Sequence, residues 1–310
     1  MAKSTRRVLL GSLLAGCAPW SLARTRGARA VAITIDDLDG NAEDTPRMDL
    51  DRRNAVILAT LRRHRLRAAL FVCGMRVDNP AGRRHLRQWS EAGHLICNHT
   101  YSHVPYSRTT FEQFSADTLR CEPLIRDEPG FQRLFRFPEL KEGATREQRD
   151  RMRAFLREHS YRMGYVTIDS SDWAIDDRLR KRLAADPHAD VAPYRAFLLE
   201  HLRQRAAFYD DLAHRVLGRS IKHTLLIHHK LLTALFLEDL LQMFSARGWN
   251  VINADEAFRD PVFQREPDIV PAGESLVWAL AKETGRYDTL LRYPGEDSRY
   301  EDPLMDELGL

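Results

Sequence analysis

Three observations predict an α/β fold with a parallel sheet or barrel: strand-like apolar runs alternate with helical stretches over the first hundred residues, acids and histidines stand at the ends of those runs, and the 310 residues suffice for one large domain with tails. The first run, residues 30–40 (AVAITIDDLDG), alternates Val31, Ile33 and Ile35 with small or hydroxyl residues, the pattern of a buried strand, and Gly40 marks the turn after it. It delivers Asp36 and Asp37 at a strand's carboxyl end, where parallel α/β folds build their sites. An isolated Asp-Asp pair would equally serve a turn or a helix cap. Two adjacent like charges nonetheless call for a cation, either a metal or a basic side chain.

Residues 50–67 place Leu50, Ile57, Leu58 and Leu61 at helical spacing with arginines opposite, so an amphipathic helix is expected. Residues 68–73 (AALFVC) read as a second buried strand stopped by Gly74, residues 80–92 as a helix, and residues 94–97 (HLIC) as a third strand after Gly93. This third strand leads into His99 and His103, four residues apart. On a helical turn that spacing stacks both imidazoles on one face, as chelation requires. Alone such a pair is a common surface accident, but its strand-end position lets it converge with the two aspartates.

Farther along, residues 191–217 carry a long amphipathic pattern that includes His201 and Leu202. Residues 223–229 (HTLLIHH) form an apolar strand ending in His228 and His229, which alternation sends to opposite faces. Residues 231–248 are a helix ending at Gly248, and residues 249–253 a final strand. The tail from Pro261 is rich in Pro, Gly and acids, with one helical patch, SLVWALAKE.

Charge and cysteine usage exclude some functions. Basic and acidic residues number 47 and 44, a net +3, with no dense Lys/Arg block beside aromatics, so no nucleic-acid groove is expected. The four cysteines form no CxxC pair and no structural-zinc cluster; Cys73 and Cys97 end apolar runs and read as buried small hydrophobes. Residues 1–23 have a basic start, an apolar stretch from Val8 to Gly16 and a small-residue end, the layout of an export signal. Arg6-Arg7 resembles a twin-arginine signal and Leu14 to Cys17 a lipobox; ordinary cleavage after Ala23 is the alternative. A lipid on Cys17 is the one membrane attachment expected of a protein exported to the periplasm or cell envelope.

Five motifs in one order carry a family resemblance. Thr34-Ile35-Asp36-Asp37, His99 to His103, Arg136-Phe137-Pro138, Asp169 to Trp173 (DSSDW) and Leu226-Ile227-His228 resemble the TFDD, HxxxH, RxP, DxxDW and LxH motifs of NodB-type polysaccharide deacetylases, carbohydrate esterase family four. The resemblance spans residues 31–252 and implies a distorted, incomplete parallel β/α barrel of about seven strands. To this the sequence adds the long helix and an irregular tail, with the catalytic domain over residues 30–260 and the tail over 261–310. It further implies one divalent metal, usually zinc, on Asp37, His99 and His103, which leaves coordination positions open for water and substrate. Asp36 would be the general base, Arg136 its partner, and the Glu139 backbone N–H an oxyanion donor. His228 would be the acid, oriented by Asp172, with His229 behind it and Trp173 walling the pocket.

Two departures fall on substrate-facing loops: Leu38-Asp39-Gly40-Asn41 stands where relatives carry Gly-Pro, and Glu139 where they often carry an aromatic. The expected reaction is removal of an acetyl group, N-acetyl before O-acetyl, from a glycan. The alternatives are a catalytically silent glycan-binding relative and a metal amidase acting on a non-carbohydrate amide.

Overall fold

A computed structural model describes residues 27–293 and 298–310. The expected export signal, with Arg6, Arg7 and Cys17, lies outside the described residues. In chain order the strands are β1 (Arg29–Asp36), β2 (Ala69–Val72), β3 (Leu95–Asn98), β4 (Phe131–Phe135), β5 (Lys141–Gly143), β6 (Arg162–Met163), β7 (Lys222–His228), β8 (Trp249–Ile252) and β9 (Ala272–Gly273). The helices are α1 (Leu50–Arg63), α2 (Gly74–Val77), α3 (Pro80–Glu91), α4 (Phe111–Ile125), α5 (Arg146–Glu158), α6 (Asp172–Ala185), α7 (Ala192–Leu217), α8 (Leu231–Ala246), α9 (Ala254–Ala257), α10 (Leu276–Thr284) and α11 (Glu301–Glu307).

Seven strands form one parallel sheet in the order β6-β4-β3-β2-β1-β7, with β8 also paired to β1. The first half of β1 pairs with β8 (Arg29 opposite Trp249) and the second half with β2 (Thr34 opposite Ala69), so two strands share one edge while β7 takes the other. A parallel bridge from Ile168 to Leu225, just past β6, brings the far end of the sheet round to β7. The sheet is therefore a curled, incomplete barrel, as the motifs imply. Only parallel strands covered on both faces can be this uniformly apolar, and β1 is buried along all but its first residue.

The helices begin where local chemistry allows. Asp49 caps α1 by accepting the Arg52 N–H at 2.7 Å, Asn79 caps α3 ahead of Pro80, and Thr110 and Gln113 form a reciprocal capping box on α4. Read boundaries hold within a residue or two for most elements. The exception is the first helix, which stops at Arg63 rather than Arg67 because Arg65 turns left-handed (φ 55°) to start the descent into β2.

Helix α7 runs 26 residues and is closed by Gly218 at φ 71°; it packs on α8 and α10. The segment from Pro261 joins the body through Leu276, Val277, Leu280 and Met305, all in the main apolar core, and β9 pairs with β5. Where one helical patch is expected in this tail, a second helix, α11, also forms. Cys73, Cys97 and Cys121 are buried and free. Among the described residues no helix is long and apolar enough to cross a membrane.

Candidate metal centre and catalytic cleft

Parallel pairing sets the carboxyl ends of neighbouring strands side by side. Asp36 closes β1 opposite Phe71 of β2 and His228 of β7, His99 follows β3, and Arg136 follows β4. Asp36, His99 and His228 border one cleft of about 480 Å³, walled also by Trp173 and Glu139, while Arg136 is buried behind Asp36.

The chain turns sharply here. Asp37, Thr100, His103 and Glu139 all lie in the left-handed region, at φ 65°, 64°, 59° and 54°. Non-glycine residues there cost about 1–3 kcal/mol each and persist where the surroundings over-determine them, commonly at active sites. The two histidines are therefore not on a helical turn, contrary to the reading from their spacing. Residues 99–103 form an irregular turn in which Asn98 Oδ1 accepts from Thr100 N at 2.9 Å, Thr100 Oγ1 from His103 N at 3.1 Å, and Asp117 Oδ2 from Ser102 N at 3.0 Å. Thus side chains on α4 and the strand end, not helical periodicity, bring the rings to 4.9 Å between centroids.

One ligand atom each from Asp37, His99 and His103 lies within 4.8 Å of the others. These residues suit a divalent metal. Asp37 Oδ1 is buried without a hydrogen-bond partner, and His99 Nδ1–H donates to the Arg136 carbonyl at 2.8 Å, which leaves Nε2 with a lone pair aimed at the centre. Burial holds His99 and His103 down at about 4, so both imidazoles are neutral at pH 7, the form that can ligate a metal. Burial alone would raise Asp37, but the facing His103, Arg76 and His99 overcome it and hold the carboxyl down at about 2.

Asp36 differs from its neighbour. Burial pushes it up to about 6 despite the Arg136 guanidinium, whose Nη1 donates to Oδ1 at 2.5 Å. Arg136 spends its other donors on the Gly164 carbonyl (Nε, 2.9 Å) and Thr34 Oγ1 (Nη2, 3.1 Å), and its guanidinium sits 3.7 Å from the Phe71 ring centroid. Gly164 has to be glycine, because a Cβ there would fall 2.3 Å from Phe71 Cε1.

Opposite stands His228. Its Nδ1 faces Asp172 Oδ1 at 2.8 Å, and its backbone N–H donates to Asp172 Oδ2, also at 2.8 Å. Burial would lower the imidazole, but Asp172, helped by Asp37 and Asp36, raises it to about 9. His229 points away from the cleft, with Nε2 3.2 Å from Asn54 Oδ1 and its ring edge-on to Trp89, so it is part of the packing under α1 and α3 and does not back His228.

Sequence reasoning passed over Arg76 and, although it quoted Asp169 and Ser170 within the DSSDW motif, gave those two no role. Arg76 lies 3.4 Å from Asp37 Oδ2 and 3.7 Å from Asp39; its place just past the end of β2 was the available signal. Asp169 and Ser170 also line the cleft. Asp169 is pushed up to about 7 by burial, and one of its oxygens has no partner.

The polysaccharide deacetylase family model matches residues 23–164, and this is the NodB-type resemblance that the motifs carry. Solved structures of carbohydrate esterase family four share the fold. A mutant of a family-four pseudoenzyme aligns over 74% of this chain and 67% of its own at 18% identity, with a TM-score of 0.53. The wild-type pseudoenzyme from Bacillus anthracis aligns over 74% and 66% at 19% identity, TM-score 0.51. A peptidoglycan N-acetylglucosamine deacetylase with a bound N-hydroxybenzamide aligns over 75% and 89% at 17% identity, TM-score 0.50. No curated protein sequence matches the chain.

Proposed function

We propose that this chain, matched over residues 23–164 by the polysaccharide deacetylase family, is a metal-dependent hydrolase that removes acetyl groups from an N-acetylated glycan. The observation that carries the reading is the pairing of a carboxylate and an imidazole across one cleft, both pushed upward but to different values: Asp36 by burial to about 6, and His228 by its carboxylate partner Asp172 to about 9. Near neutral pH one can accept a proton while the other can donate one, the separation that acid–base hydrolysis requires.

A divalent cation held by Asp37, His99 and His103, zinc being the expected one, supplies Lewis-acid polarisation of the acetyl carbonyl. The chain's own groups do the rest. Asp36 takes the proton of the attacking water, and Arg136 holds that carboxylate in place. The backbone N–H of Glu139 donates to the developing oxyanion, and His228 gives its proton to the departing amine. Trp173 offers the sugar ring an apolar wall.

A second reading, a catalytically silent glycan binder, is favoured by the two neighbours described as pseudoenzymes. Against it stands the full set of Asp36, Asp37, His99, His103 and His228 around the cleft. Assay of the zinc-loaded protein on N-acetylated chitooligosaccharide, peptidoglycan and acetylated xylan tests the function. Acetate release from the first two supports the proposal, release from xylan alone assigns O-deacetylation, and glycan binding without release establishes the silent reading.

We further propose that the protein acts in the periplasm or cell envelope, for which the leader in residues 1–23 is the support.

A further inference from the structure

The Asp172–His228 pair is braced from a part of the chain that the barrel does not contain. Asp172 opens α6, and the residue before it, Ser171, is held by two side chains of the added helix α7. The Ser171 backbone N–H donates to His201 Nε2 at 3.2 Å, and Arg205 Nη2 donates to Ser171 Oγ at 2.9 Å. Both α7 residues turn in the other direction to one carboxylate on α11. Arg205 Nη2 lies 2.9 Å from Glu301 Oε1, and His201 Nδ1 lies 3.4 Å from the same oxygen.

An imidazole that accepts at Nε2 must carry its proton on Nδ1, so His201 is a neutral bridge whose tautomer Glu301 selects. All three side chains are buried, and the Arg205 guanidinium stacks 3.9 Å from the Tyr293 ring centroid. A buried ion pair costs desolvation that its attraction roughly offsets, so such a cluster is a poor device for stability and a good one for holding a geometry.

We propose that Glu301, acting through His201 and Arg205, is a positioning residue for the Asp172–His228 pair, so that the C-terminal segment completes the catalytic cleft. Without Glu301, Arg205 is a buried cation that has lost its ion-pair partner, and His201 loses the carboxylate that fixes its tautomer. Ser171 and the first turn of α6 are then free to shift. The inference rests on the assignment of His228 as the acid.

The test uses the full chain with Glu301→Ala, Glu301→Gln and His201→Phe, and with Asp306→Ala as control, since Asp306 lies on the same short helix as Glu301 but pairs with Arg178 in the middle of α6 and has no contact with Ser171, His201 or Arg205. In the metal-free protein, the proton NMR signal of the His228 Nδ1–H should move upfield or broaden in Glu301→Ala and His201→Phe. It should remain in Glu301→Gln, which keeps an acceptor oxygen, and in Asp306→Ala. In the zinc-loaded protein kcat should fall about tenfold in the first two with KM changed less than about twofold. A folded Glu301→Ala or His201→Phe with an unchanged resonance overturns the inference, even where His228→Ala abolishes turnover. If the wild type shows no turnover, the functional reading is overturned instead, and the resonance alone decides the inference.

Discussion

Asp172 grips His228 twice, by Oδ1 on the ring Nδ1 and by Oδ2 on the backbone N–H, both at 2.8 Å. Ring and main chain are thus fixed by one carboxylate, which leaves Nε2 as the only free edge of the imidazole. His228→Ala should lower kcat about a hundredfold or more, the usual scale for general acid catalysis, with metal content unchanged. His229→Ala should leave turnover nearly intact but lower the melting temperature, because its ring packs on Trp89. Steady-state kinetics beside a thermal melt separates them; a larger kinetic loss in His229→Ala would refute the assignment.

The same carboxylate sets a pH limit. Asp172 stabilises the imidazolium, so the proton stays on until the pH nears about 9 and turnover should fall above it. In Asp172→Asn the charged form loses that support, and the alkaline limb of kcat/KM should move to lower pH. A limb that stays put or moves upward would show that His228 is not the group being read.

Asp36→Asn should retain the metal and lose turnover. The amide keeps the shape and a contact with Arg136 but cannot accept a proton at pH 7. Metal analysis and acetate release measured together check this. If the metal goes too, Asp36 is itself a ligand, an outcome to weigh because His99 Nε2 lies 3.6 Å from Asp36 Oδ2.

His103→Ala should bind zinc far more weakly, since it removes one of three convergent donors. Elemental analysis after dialysis reads it directly, and unchanged metal content would refute the ligand set. Arg76→Ala should act in the opposite direction, because the guanidinium 3.4 Å from Asp37 Oδ2 competes with a cation for that carboxylate. Zinc affinity is expected to rise several-fold by titration.

Export predicts that residues 1–23 are absent or remodelled in the protein isolated from its native host, with a lipid on Cys17 if the lipobox is used. Intact-mass spectrometry from the native host reads the mature start. A chain beginning at Met1 in the cytoplasm would refute export.

The strand-end placement of Asp36, Asp37 and His99 was legible because it depends on local pattern alone: an apolar run of period two, then acids or imidazoles, then a turn. Motif order extended that legibility to Arg136, Asp172 and His228. The convergence of Asp172 with His228, 56 positions apart, was not legible from periodicity, because it requires α6 to start where β7 ends; the family match itself stops at residue 164. The histidine spacing suggested a helical turn, yet backbone hydrogen bonds accepted by the side chains of Asn98, Thr100 and Asp117 hold an irregular turn with left-handed Thr100 and His103 that no periodicity encodes. His201 likewise reads as one more position on the buried stripe of an amphipathic helix, and Glu301 as one acid in an acidic tail. Their meeting behind Ser171 joins elements a hundred residues apart. Sequence by itself determined which side chains end the strands, because that is set by neighbours along the chain. Tertiary structure alone decided which of them meet in one cleft and how each is charged, because burial and partners from distant elements set each group's protonation.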